Sequence, residues 1–413
     1  MTTFTTLFLA LVFITVATQQ WLGRRQIAHV TAHRNSVPAA FSTNISLESH
    51  QKAADYSVAK SRLNLVENLA TTLLLLVLTL GGGLQWVDQG MTALLPQHEM
   101  FRGVLVILAI LLISSVVELP FDYYRSFVID AKFGFNKMTP AIFCKDVVKH
   151  ALVGLAMGLP LLFAALWLMH SAGSYWWLWL WCVWSVFNLL MLAVYPTFIA
   201  PLFNKFSPMT DAALKTRIEA LLFKCGFKSQ GLFVMDGSLR SSHGNAYFTG
   251  FGANKRVVFF DTLLERLGAD EIEAVLAHEL GHFKRHHVIK RIAMMFAVSF
   301  VGLALLGWLK QADWFYTGLG VTTPSDHAAL ILFLLVAPLL TFILRPLFAA
   351  YSRSNEFEAD EYAAQYSSAK HLIDALVKLY RDNASTLTPD PLHSAFYDSH
   401  PPASQRVARL QTL

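Results

Sequence analysis

The chain has 413 residues, of which 54% are hydrophobic and only 15% charged, and its mean hydropathy is +0.44. A soluble domain carries roughly 25% charged residues, so disorder, a soluble dinucleotide-binding enzyme and a secreted disulfide scaffold all fit poorly. The net charge of +5 comes without a Lys/Arg block, which argues against nucleic acid as a partner, and Cys144, Cys182 and Cys225 suggest neither a disulfide framework nor a zinc ribbon.

Runs of about 20 apolar residues match a hydrocarbon core of roughly 30 Å at a rise of 1.5 Å per residue. Seven such runs occur, at about 3–21, 65–87, 101–119, 151–170, 175–196, 292–309 and 328–348. For the first, a signal-peptide reading is weakened by Arg24 and Arg25, which follow rather than precede it, and by the lack of an obvious A-x-A site. A multi-span α-helical membrane protein with seven transmembrane helices and the lipid bilayer as solvent is predicted. Lys and Arg set its orientation. Arg24, Arg25, Arg34, Lys52, Lys60 and Arg62 follow the first span, and Arg125, Lys132, Lys137, Lys145 and Lys149 follow the third. The even-numbered links are nearly free of them. This places the N-terminus outside and the C-terminus in the cytoplasm. Trp176, Trp177, Trp179, Trp181 and Trp184 crowd one end of the fifth span, the first few as an interfacial belt and the deeper ones packed or lining a cavity.

Four units follow: spans one to five over 1–202, a polar α/β unit over 203–291, spans six and seven over 292–350, and a helical tail over 351–413. In the polar unit, Asp211 precedes a helical stretch at 212–224 with Leu214, Ile218, Leu221 and Leu222 on one face, closed by Gly226. Strand-like runs follow at 231–235, 246–251 and 256–260, the last two joined by a hairpin signal at Gly252-Ala253-Asn254. A helix then starts at Asp270, with Glu273 completing a capping box. The tail turns loop-like around Thr388–Pro391 and His400–Pro402.

On that capped helix stands His278-Glu279-Leu280-Gly281-His282. Histidines at i and i+4 lie one turn apart on one face, so their imidazoles can converge on a single Zn²⁺. Glu279 points to the neighbouring side, where it can take a proton from a water that zinc acidifies to a pKa near 7. The alternative is a chance match on a surface helix. A catalytic zinc wants three protein ligands plus water. Arg285 and Val288 stand where a metzincin needs Gly and His, so the third ligand comes from elsewhere. Just after the seventh span, Glu356 and Asp360 share a helical face, which suits Glu356 as ligand and Asp360 as hydrogen-bond partner of a ligand histidine. Glu358 and Glu361 point off that face and read as solvated acids, while His286 and His287 read as surface or interfacial histidines.

With HELGH and a later NEFEAD in hand, the chain resembles the integral-membrane zinc endopeptidases that cleave CAAX proteins, the type I prenyl proteases. The resemblance extends to LPF at 119–121, KFGFNK at 132–137, PTFIAPLFNKF at 196–206, SHGNAYFTG at 242–250, RVVFFDTL at 256–263 and SHPP at 399–402. It implies a barrel of seven transmembrane helices around a water-filled chamber, with a small α/β gluzincin-like zinc domain and one Zn²⁺ per chain. It also implies His278, His282 and Glu356 as zinc ligands, Glu279 as catalytic base and Asp360 as a supporting acid. Asn245, Ala246 and Tyr247 take the position of the strand that holds the substrate peptide. On the residues alone, the same segment is a strand with a polar entrance. His400 and Arg406 stand where donors to the oxyanion or to a substrate carboxylate would lie; the plainer reading of His400 is a loop histidine beside prolines.

Glu67, Glu118 and Asp122 lie near span ends, where they either snorkel to the interface or line a hydrated cavity. The function expected is a zinc-dependent membrane endopeptidase acting on peptide or protein substrates, prenylated or not, on the cytoplasmic side. Such an enzyme would sit in a bacterial inner membrane or in the endoplasmic reticulum. A quality-control protease for membrane proteins, or a non-proteolytic scaffold or transporter with structural zinc, are the competing readings. A structural site usually closes with Cys-rich ligands, and no Cys stands near HELGH.

Overall fold

The computed structural model describes residues 2–227, 229, 231–249 and 256–413. The chain opens with α1 (Thr3–Ala32), α2 (Leu47–Leu78), α3 (Glu99–Tyr124), α4 (Pro140–Ser171) and α5 (Trp176–Val194). The polar unit follows as β1 (Phe206–Pro208), α6 (Ala212–Lys224), β2 (Leu232–Met235), β3 (Ala246–Thr249), β4 (Arg256–Phe260) and α7 (Ala269–Lys284). Then come α8 (His287–Leu309), α9 (Asp326–Tyr366), α10 (Ala369–Asp382), α11 (Pro391–Tyr397) and α12 (Ala403–Leu410). Among the described residues, seven helical stretches are long and apolar enough to cross a membrane.

Their bounds differ from the hydropathy runs in instructive ways. The run at 65–87 overshoots: α2 starts at Leu47 and stops at Leu78, and a separate helix, Gly83–Leu94, follows. The break falls at Gly81-Gly82-Gly83, where Gly82 has a φ of 74°, a conformation open to glycine at little cost. α3 runs through Pro120 and leaves by a π-helical turn, Arg125–Asp130, in which the ladder absorbs an extra residue. The last span is the largest departure. α9 passes Pro338 and Pro346 without ending and carries Glu356 and Asp360 on the same continuous helix. Trp176 is buried with Lys310 5.3 Å above its ring, whereas Trp179 is exposed, so the predicted belt is only partly a belt.

α2 has two contrasting faces. Val66, Leu69, Leu73 and Val77 are exposed along one face, as suits lipid. Ser57, Lys60, Ser61 and Asn64, on the opposite face, line a cavity of about 940 Å³ that reaches the polar unit. Glu67 and Asp122 both pair with Arg125, at 2.5 and 2.9 Å, so each charge is compensated, although Asp122 itself is exposed.

In the polar unit, Asp211 accepts from the Leu214 N–H at 3.0 Å and starts α6; Gly226, with a φ of 65°, follows its end. The sheet has the order β1-β2-β4-β3, with β2 and β4 parallel and the outer strands antiparallel to their neighbours. β1 was absent from the sequence reading, being three residues long. The predicted hairpin turn, Gly252-Ala253-Asn254, and the end of the run at 246–251 lie outside the described residues. The core of this unit joins Leu221, Val257, Phe259, Leu276 and Leu280 to Tyr362, Leu372, Leu376 and Leu410. The segments before and after the last two spans thus share one hydrophobic core.

Candidate metal centre

The centre is built where α7 crosses α9. α7 begins two residues earlier than its sequence suggests: Gly268 is the cap, and its N–H donates to Glu271 at 2.7 Å. Asp270 and Glu273, the expected capping box, instead both pair with Arg217 of α6. At the crossing, Gly281 lies directly against α9. A Cβ there would meet Ala359 Cα at 2.9 Å and Tyr362 Cβ at 3.0 Å. This close approach brings Glu356 onto the two histidines of α7.

His278 Nε2 and His282 Nε2 are 3.2 Å apart. The Glu356 carboxylate lies 3.4 Å from the first and 3.2 Å from the second. One donor atom from each residue falls within 4.8 Å of the others. Glu356 Oε2 is buried and has no hydrogen-bond partner among the described residues. Two imidazole nitrogens and a carboxylate oxygen converging in a largely buried site fit a divalent cation of borderline softness.

Surrounding groups fix these ligands. Asp360, fully buried, receives His278 Nδ1 at 2.8 Å. Arg406, from α12, grips Asp360 with Nη2 at 2.5 Å and Nε at 2.9 Å, and its Nη1 lies 3.5 Å from Glu356. Burial opposes charge on His278, but Asp360 and Glu356 outweigh it and raise its pKa to about 9. His400 Nε2 reaches within 3.4 Å of Glu356 while most of its ring stays exposed. Glu279 is half-buried and has no hydrogen-bond or ion-pair partner among the described residues.

Two residues read as peripheral belong to this network. His287 is buried, with its Nδ1 3.0 Å from His282 Nδ1 and its Nε2 3.2 Å from Glu358. On a continuous helix, five positions separate the two side chains by about 140°, so periodicity turns His287 away. The helix is not continuous. It ends at Lys284, His286 takes a φ of 58°, and α8 restarts with His287 facing back. Glu358 is therefore a hydrogen-bond partner and Glu361 pairs with Arg409, so neither is simply solvated. A positive-φ break signalled by no glycine leaves nothing for the sequence to show.

Asn245 is exposed, Ala246 is buried and Tyr247 is half-buried; Ala246 and Tyr247 lie on β3 opposite Phe259 and Val258. β3 is the outer strand, and only one of its edges is paired among the described residues. Asn245, His400 and Arg406 all line the 940 Å³ cavity.

Comparison with known proteins agrees along the whole chain. A model described as CAAX prenyl protease N-terminal, five membrane helices, matches residues 26–205, and peptidase family M48 matches residues 208–413. A CAAX prenyl protease 1 homolog of Arabidopsis thaliana is 35% identical over 370 residues, covering 88% of this chain and 87% of its own. CAAX prenyl protease 1 of Saccharomyces cerevisiae is 32% identical over 422 residues, covering 95% and 92%. The crystal structure of S. mikatae Ste24p has a TM-score of 0.92 at 29% identity over 99% of both chains. With the membrane helices and the crossing of α7 and α9 already described, the chain belongs to peptidase family M48, as a multi-pass integral-membrane metalloendopeptidase of the CAAX prenyl protease type.

Proposed function

We propose that His278, His282 and Glu356 hold one Zn²⁺ and that the chain cleaves C-terminal CAAX-type segments of membrane-attached proteins. The observation that carries this reading is the convergence of the three donors, one of them a buried Glu356 oxygen with no hydrogen-bond partner among the described residues. Bound zinc supplies a Lewis acid for the scissile carbonyl and an acidified water at neutral pH. Glu279, next to His278 and without a partner of its own, takes the proton and passes it to the leaving amine. Asp360 fixes the tautomer and orientation of His278, and Arg406 holds Asp360 in place. His400, partly exposed beside Glu356, donates to the oxygen that gains charge in the transition state. Asn245, Ala246 and Tyr247 offer an outer strand to which an extended peptide adds by backbone hydrogen bonds.

CAAX motifs end a chain and carry a prenylated cysteine, a signal that anchors proteins to the cytoplasmic leaflet. The basic links after the first and third spans support a cytoplasmic face for α7 and the tail. Glu279→Gln tests the reading. Purified variant protein is expected to keep wild-type zinc content and thermal stability while losing at least about a hundredfold in peptide cleavage. Undiminished turnover by this variant overturns the assignment.

A further inference from the structure

The cavity beside the metal centre has a feature that metal chemistry leaves unexplained. Its walls carry Lys60, Arg125 and Arg406, against a single carboxylate, Asp398. Arg406 is neutralised by Asp360 and Arg125 by Glu67 and Asp122. Lys60 is not. Its ammonium sits 4.1 Å above the Tyr56 ring, and among the described residues no carboxylate lies within ion-pair distance of it. The hydroxyl of Tyr56 meanwhile donates to Asp130 at 2.8 Å, which occupies the nearby acid. Ser57 and Asn64 stand one turn either side of Lys60 and Ser61 follows it, and all three line the same cavity as neutral hydrogen-bonding groups. A cation with no ion-pair partner, set among neutral polar groups on a cavity wall, attracts an anion.

We propose that Lys60, with Asn64 beside it, forms the subsite that binds the free C-terminal carboxylate of the substrate peptide. This rests on the peptidase reading above. The cavity reaches from Asn245, His400 and Arg406 at the metal centre to Lys60 on α2. A peptide lying along β3 can therefore place its last residues in this cavity, and cleavage releases a short fragment that carries the carboxylate. Such an enzyme recognises the end of a chain by charge and the bond to be cut by register.

The test separates binding from turnover. A fluorescent farnesylated peptide with three residues after the modified cysteine is made as the free acid and as the C-terminal amide. Its affinity for purified Glu279→Gln protein is measured by anisotropy. The acid is expected to bind at least about tenfold more tightly than the amide, the scale of one charge-assisted hydrogen bond. Lys60→Gln in the same background is expected to bring the two affinities within about twofold, and Lys60→Arg to restore most of the difference. Equal binding of acid and amide before any change at Lys60 overturns the inference, as does an undiminished preference in Lys60→Gln. Zinc content and melting temperature report whether the Lys60 variants fold. Failure of wild-type protein to cut either peptide counts instead against the proposed function, because the affinities are read without turnover.

Discussion

His282 faces the proposed zinc position with Nε2 and meets His287 with Nδ1, so its orientation depends on a neighbour outside the proposed ligand set. Partners on the far side of a ligand histidine typically matter tenfold to a hundredfold in metal affinity. His287→Phe keeps the bulk of the ring but removes both hydrogen bonds. It is expected to weaken zinc binding about tenfold in a chelator competition while leaving the melting temperature of the zinc-free protein nearly unchanged. Equal affinity for zinc would show that packing alone orients His282. At this scale the sequence carried the spacing of His278 and His282 and the shared face of Glu356 and Asp360. It did not carry His287, whose return depends on a backbone turn at His286 with no glycine to announce it.

Two helices meeting at one glycine place the third donor. Gly281 of α7 faces Ala359 and Tyr362 of α9 with no room for a methyl group, and the obstruction is backbone as well as side chain. Gly281→Ala cannot be relieved by turning a rotamer; it must push α7 and α9 apart. We expect it to cost about 1–3 kcal/mol in stability, the usual scale of overpacking. Zinc content per chain should fall with it, and metal analysis beside thermal melts checks both. A variant that binds zinc normally would show that the crossing has slack. The hydropathy runs marked all seven spans because apolar length is a strong signal. They missed the helix ends because prolines within α3 and α9 do not end those helices, whereas the three glycines at 81–83 do end α2. Strands β2 and β4 were visible as β-branched and aromatic runs. β1 was too short to stand out.

The molecule is closed by its tail. Asp390 caps α11, accepting from the N–H groups of Leu392 and His393, and reaches Arg25 of α1 at 2.9 Å. Burial works to raise its pKa, but the His393 N–H and Arg25 outweigh it and hold the carboxyl below the ordinary range. A depressed pKa stabilises the fold above the ordinary carboxylate value and loses that contribution as the pH falls through it. Asp390→Asn keeps an oxygen that can cap α11 but removes the charge facing Arg25, and is therefore expected to cost about 1 kcal/mol at pH 7, the upper end for a partly exposed ion pair. The difference from wild type should shrink as the pH is lowered from 5 towards 3, read from chemical or thermal unfolding in detergent. A difference that stays constant with pH would remove the charge from the argument. Zinc removal tests the same level of organisation. Chelation is expected to lower the melting temperature of wild type and to matter far less in a Glu356→Ala variant, because the proposed ligands join α7 to α9. Sequence patterns named both halves of the site. They could not show that the segments on either side of the last two spans share one core, because that packing is set by tertiary contact.

The continuity of α9 has a consequence for reach. The apolar run of the last span ends near Phe348, and Glu356 lies about 12 Å of helix farther on. Because no joint separates the two, the altitude of the metal centre above the hydrocarbon is set by the span itself, as a gauge is set by its foot. With zinc held there as proposed, peptide bonds far from the bilayer are expected to lie out of range, and a substrate to be cut only when moored close to the membrane.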